Sequence, residues 1–189
     1  FLTYYLQEVK GYSPVTSGLA FLPMIGCILL SSNVSSIVTL PRFGPRVLIA
    51  TGMLLGAGGM TYLTQLTVTS SYAGGVLPAL LILGLGFGMI FAPAINTATA
   101  GVRRQDSGVA SALVNTGQQV GGSIGTALLS TLAASASGAY ASTHRATADV
   151  VAQTAVHGYT AAFTWAAAVF AVGSVMAWTL LPSGAPDVA

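Results

Sequence analysis

Charge is what this sequence lacks most. Asp, Glu, Lys and Arg make up only 5% of it, against about a quarter in soluble domains. A surface that poor in charge would not stay in water. The balance is 6 Lys and Arg against 4 Asp and Glu, a net charge of +2. That is too small for a nucleic-acid footprint, so no nucleic-acid partner is expected. Cysteine is nearly absent as well. Cys27 stands alone in an apolar stretch, which excludes an internal disulfide and reads as a small buried hydrophobe. The four acids are Glu8, Asp106, Asp149 and Asp187, and none falls well inside an apolar run. Ion-coupled transport needs a titratable group within the membrane, so any coupling carboxylate is expected outside this sequence. There is no P-loop and no Ser/His/Asp, Cys/His or paired-carboxylate constellation. The chain is therefore not expected to be an enzyme or to carry a cofactor. His144 and His157 are too isolated to argue for a metal. No basic stretch with a cleavage site marks a signal peptide.

What remains is apolar. Hydrophobic residues make up 53% and the mean hydropathy is +0.78. The reading is an all-α membrane protein. A spanning helix needs about 20 mostly apolar residues, and five segments qualify: residues 14–40, 45–66, 75–99, 107–134 and 159–181. Residues 1–6 read as the end of a preceding helix, so the chain is expected to be the C-terminal part of something longer. Ser13-Pro14 suits a helix start. Pro23 and Pro93 are expected kinks, since each removes a backbone bond inside a span. Residues 135–158, rich in Ser, Ala and Thr, are expected to form a mobile extracytoplasmic loop.

Short loops rich in Lys and Arg mark the cytoplasmic side. Arg42 and Arg46 flank Gly44 in one such loop, and Arg103 and Arg104 lie in the next but one. That side also holds the C-terminus, which is expected to be cytoplasmic. All seven tyrosines fall near the opposite face, as an interfacial belt would.

Small residues let membrane helices approach closely. Gly52 and Gly56, Gly84 and Gly88, and the series Gly117, Gly121 and Gly125 each recur at every fourth position. They are expected packing positions, with a sliding surface as the alternative. Amides cluster on the first, third and fourth spans, so these are expected to face a cavity or each other. The second and fifth are expected to face lipid. On the fourth span Ser111, Asn115 and Gln118 share a face with Gln119 beside it. This stripe reads either as an interhelical hydrogen-bond clamp or as a solute-facing surface.

The opening YYLQEVKGYSPVTSGLAFLP, the loop PRFGPR, the segment GLGFGMIFAP and the run SGVASALVNTGQQVGGSIGTALL together resemble the major facilitator superfamily. Most closely they resemble its fourteen-helix drug:proton antiporter group, the bacterial multidrug exporters. The resemblance covers nearly the whole chain. It implies the C-terminal six-helix bundle of a two-bundle transporter in a bacterial plasma membrane, with an N-terminal bundle as its partner. It implies export of small amphiphilic solutes by alternating access, driven by a proton gradient. The alternatives are a specific metabolite transporter or a non-transporting scaffold or sensor. It also implies a cavity lined by Met24, Phe91, Ser111, Asn115, Gln118 and Gln119. In two places the sequence departs from the group. Pro41 stands at the acidic position of the PRFGPR loop, and Gln118 stands where many relatives carry Arg.

Overall fold

The computed structural model describes residues 1–99, 102–103, 105–144 and 147–181, so Arg104 and Asp187 lie outside the described residues. The described chain is helical almost throughout. A short helix α1 (Leu2–Tyr4) runs into a π turn at Tyr5–Val9. Helices α2 (Pro14–Ala20) and α3 (Leu22–Val34) follow, then a second π turn at Ser35–Thr39. Helix α4 covers Leu40–Leu63. A third π turn at Tyr72–Val76 leads into α5 (Leu77–Thr99). Two long helices end the order, α6 (Ser107–Thr143) and α7 (Ala148–Leu180).

The first span starts as its sequence suggests. The Ser13 Oγ accepts the Thr16 N–H at 3.2 Å, and Pro14 takes the first helical position, where its missing N–H costs nothing. The span is then broken at Phe21 (ψ −9°), two residues before Pro23, as expected where a proline ring displaces the preceding turn. Pro93 behaves differently. Helix α5 runs through it without a break, and its carbonyl accepts the Thr97 hydroxyl at 2.7 Å.

The loop PRFGPR shrinks to one residue. Gly44 alone leaves helical geometry, at φ 73° and ψ 171°, inside α4. This region is open essentially only to glycine. Gly44 is also buried, so the chain reverses with helical residues on both sides of it. Gly44→Ala is expected to cost about 1–3 kcal/mol and to lower the melting temperature of the full-length protein. An unchanged melting temperature would show that the turn tolerates a side chain.

Helix α5 lies between α3 and α4. Helix α4 also packs on α7, and α7 carries α6. Glycines set these distances. A Cβ at Gly84 would sit 2.5 Å from the Met24 carbonyl oxygen, and one at Gly88 would sit 2.6 Å from that of Ile28. A Cβ at Gly52 would meet the Gly86 carbonyl at 2.7 Å, and one at Gly56 would meet the Phe170 ring at 2.8 Å. Ser31, buried between α3 and α5, donates to the Leu85 carbonyl at 2.7 Å. Ser31 therefore joins α3 to α5. On α4, Thr51, Leu54, Gly58 and Thr61 form an exposed stripe, and on α7 Trp165, Val169, Val172 and Met176 form another.

Tyrosines gather at one end. The Tyr5 hydroxyl, fully buried, donates to the Thr67 carbonyl at 2.8 Å. Tyr62 donates to Gly74 and Tyr72 to Ala20, both at 2.7 Å. Tyr159 reaches Glu8 at 3.1 Å. These bonds tie the connections at that end to the helix ends around them.

The expected loop at 135–158 is not a loop. Helix α6 continues to Thr143, and α7 begins at Ala148. Low hydropathy made the stretch read as a loop, but alanine is the strongest helix former. Tertiary contacts complete the pairing. Ser137 donates to the Thr154 carbonyl at 3.1 Å, Tyr140 donates to Gln153 at 2.9 Å, and Gly158 fits against Ala133 and Ser137. At about 1.5 Å per residue, the 37 residues of α6 outrun an apolar layer about 30 Å thick. The α6–α7 pair thus extends well beyond a bilayer's width.

Three described segments are long and apolar enough to cross a membrane: Pro14–Leu63, Tyr72–Ala98 and Asp149–Leu180. The first contains the Gly44 reversal and so holds two spans. Helix α6 has the length without the apolarity, for the reason set out next.

Candidate solute-cavity face

The polar stripe of α6 lies in the open. Ser111, Asn115, Gln118 and Gln119 are all exposed, and Ala133 is the helix's one fully buried residue. The C-terminal half of α6 packs on α7 through Ala133, Ser137 and Tyr140. The N-terminal half has no such cover. Among the described residues, the side-chain amides of Asn115, Gln118 and Gln119 make no hydrogen bond. An interhelical clamp is therefore not formed among the described residues.

A shallow open groove of about 510 Å³ runs beside Gln118, Gln119, Gly122, Ser123, Thr126 and Ala127. Ser123 and Thr126 were not picked out from the sequence. The signal was available, since they follow Gln119 and Gly122 by one helical turn. The Ser123 hydroxyl donates back to the Gln119 carbonyl at 2.8 Å, which leaves its lone pairs free to accept. The face thus offers amide donors and acceptors, hydroxyls and bare glycine backbone, and no charge.

At 3.6 residues per turn Gly117, Gly121 and Gly125 fall on another side of α6 from Gln119, and that side is open too. A Cβ at any of them would meet nothing within 4 Å. Their expected role in packing is thus not realised among the described residues, unlike that of Gly52, Gly56, Gly84 and Gly88. Regular spacing makes a helix face smooth, and a partner is still needed to use it.

Met24 and Phe91 do not join the stripe. Met24 is half-buried on α3, packed against the cluster around Leu80 and Leu83, with its carbonyl against Gly84. Phe91 is 48% exposed on α5 and packs edge-on against Phe87, ring centroids 6.0 Å apart. Phe87 continues to Phe170 of α7 at 5.9 Å.

At the end opposite the tyrosines, Arg42 is exposed and Arg46 lies over the ring of Trp178, 4.9 Å from its centroid. Arg103 pairs with Asp106 at 2.9 Å. Asp106 holds the N-cap position of α6, yet its side chain makes no capping bond. Its carboxylate is committed to Arg103 instead.

The geometry so far defines a helical membrane bundle with one uncovered polar face. Residues 1–126 match the Major Facilitator Superfamily, and the chain belongs to that family. It is 43% identical over 185 residues to the puromycin resistance protein pur8 of Streptomyces alboniger, a match covering 97% of this chain and 37% of that protein. It is 39% identical over 136 residues to the cephamycin export protein CmcT of Amycolatopsis lactamdurans, covering 71% of this chain and 28% of that protein. It is 31% identical over 137 residues to the multidrug efflux pump LfrA of Mycolicibacterium smegmatis, covering 70% of this chain and 26% of that protein. The chain thus spans little more than a third, at most, of these relatives.

Proposed function

We propose that this chain forms one wall of an exporter that moves small amphiphilic solutes out of a bacterial cell by alternating access. The observation that carries this reading is the row of unbonded amides on α6. Amides left in hydrocarbon are costly, so their face is expected to meet water and solute in a cavity. An N-terminal bundle of the same transporter would supply the opposite wall. The exposed stripes of α4 and α7 would face lipid. Relatives named for puromycin resistance, cephamycin export and multidrug efflux support an antibiotic-like solute.

Proton influx is the proposed energy source. Glu8 follows α1, Asp106 precedes α6 and Asp149 opens α7, so none of these carboxylates lies at mid-membrane. The coupling acid is therefore expected in the other bundle. The basic residues Arg42, Arg46 and Arg103 support a cytoplasmic side for their end, and with it for the C-terminus.

The test is expression of the full-length gene in a host stripped of its own efflux pumps. Lower ethidium accumulation that returns to the control level when a protonophore is added is expected. A reporter fused to the C-terminus should fluoresce as a cytoplasmic one does. Accumulation equal to that of empty vector, with the protein present in the membrane, would end the export reading.

A further inference from the structure

We propose that the surface where Arg46 of α4 meets Trp178 of α7 binds the phosphate of an anionic phospholipid. The argument begins with an unanswered charge. Arg46 is half-buried, and its Nε is buried without a hydrogen-bond partner. Its interaction within the described chain is the 4.9 Å contact with the face of Trp178. An arginine cannot shed its proton, and a buried N–H left without a partner is costly.

The chain's own described carboxylates do not answer that charge. Asp106 is engaged with Arg103 at 2.9 Å. Glu8 is bound by Tyr159, about 28 Å along α7 from Trp178 at 1.5 Å per residue. Asp149 opens α7, about 43 Å away by the same measure. Arg42, exposed just before the Gly44 reversal, adds a second cation without a described partner.

The surroundings indicate lipid. Trp178 is 52% exposed, and Val175, about one helical turn before it on the same side of α7, is an exposed apolar side chain. Acyl chains can lie along this flank of α7 while the headgroup reaches the guanidinium. Tryptophan is the side chain of the headgroup boundary, and basic pockets between helices hold anionic headgroups. The two helices are held together beneath this pair, because Ser174 donates to the Ala50 carbonyl at 2.8 Å and Gly173 seats Met53. Stacking on Trp178 fixes the plane of the guanidinium, which suits the forked geometry of Arg–phosphate bonding. The choice of inner leaflet rests on the topology proposed above, whereas the headgroup chemistry does not.

The experiment is native mass spectrometry of the full-length protein in detergent, with dioleoyl phosphatidylglycerol or dioleoyl phosphatidylcholine added. The wild type is expected to retain phosphatidylglycerol at activation energies that strip phosphatidylcholine. Arg46→Gln should lower the bound phosphatidylglycerol population about tenfold. Trp178→Leu, on an exposed side chain and safe for folding, should lower it about threefold. Equal retention of the two lipids would overturn the proposal, as would unchanged phosphatidylglycerol retention in either variant. Asp187→Asn should leave retention unchanged. A several-fold rise would make the tail carboxylate the partner of Arg46 and overturn the proposal.

Discussion

Gly84→Ala and Gly117→Ala should move stability in opposite directions, although both change a glycine in an apolar helix to alanine. At Gly84 the new methyl would lie 2.5 Å from the Met24 carbonyl oxygen and 2.7 Å from the Cβ of Cys27. Neither atom is the end of a flexible side chain, so α3 and α5 must separate. Overpacking of this kind costs about 1–3 kcal/mol, and Gly84→Val should cost more. Membrane abundance of the full-length protein should fall several-fold, because a loss of this size changes the fraction cleared by proteases. At Gly117 the methyl would meet nothing within 4 Å. There the gain in helix propensity, up to about 1 kcal/mol, stands unopposed. Melting curves of the purified protein would check both. A wild-type melting temperature for Gly84→Ala would mean that α3 and α5 do not approach as described. A sharp fall for Gly117→Ala would mean that a packed partner covers that side of α6.

Asn115→Ala and Gln119→Ala carry the second large effect, and it falls on transport. These amides are exposed and unbonded, so removing them leaves no orphaned partner inside the chain, and stability should hold. If they hydrogen-bond the solute or the water around it, each loss removes about 1–2 kcal/mol of recognition, roughly tenfold in efflux rate. Gln118→Ala, beside the same groove, should follow with a smaller change. Initial efflux rates from preloaded cells, normalised to membrane abundance, provide the measurement. Rates within twofold of wild type for Asn115→Ala and Gln119→Ala together would remove the stripe from the solute path.

Much of this was legible residue by residue, and the limits fall where a partner has to be known. The Ser13 cap, the break before Pro23 and the reversal at Gly44 follow from local backbone chemistry. They involve residues close in the chain and need no tertiary information. The 135–158 stretch was misread because its low hydropathy was weighed above its alanine content. Its helices also depend on pairing through Ser137, Tyr140 and Gly158. Met24 was assigned to the cavity through family resemblance, and the structure seats it against the cluster around Leu80.

The sequence by itself determined that this protein lives in a membrane, because 5% charged residues cannot cover a soluble surface. It also set the tyrosine-rich end against the arginine end and the amides onto one stripe of α6. Those are matters of composition and helical period, which belong to the chain alone. Only the tertiary structure decided which glycines are contacts. Gly84 and Gly88 face backbone carbonyls, whereas Gly117, Gly121 and Gly125, in the same spacing, face open space. It likewise decided that Asp106 serves Arg103 and that Arg46 is left to Trp178. The physical reason is the same in each case. Spacing says what a helix can offer, and a contact exists only where a second helix arrives at the right distance to accept it.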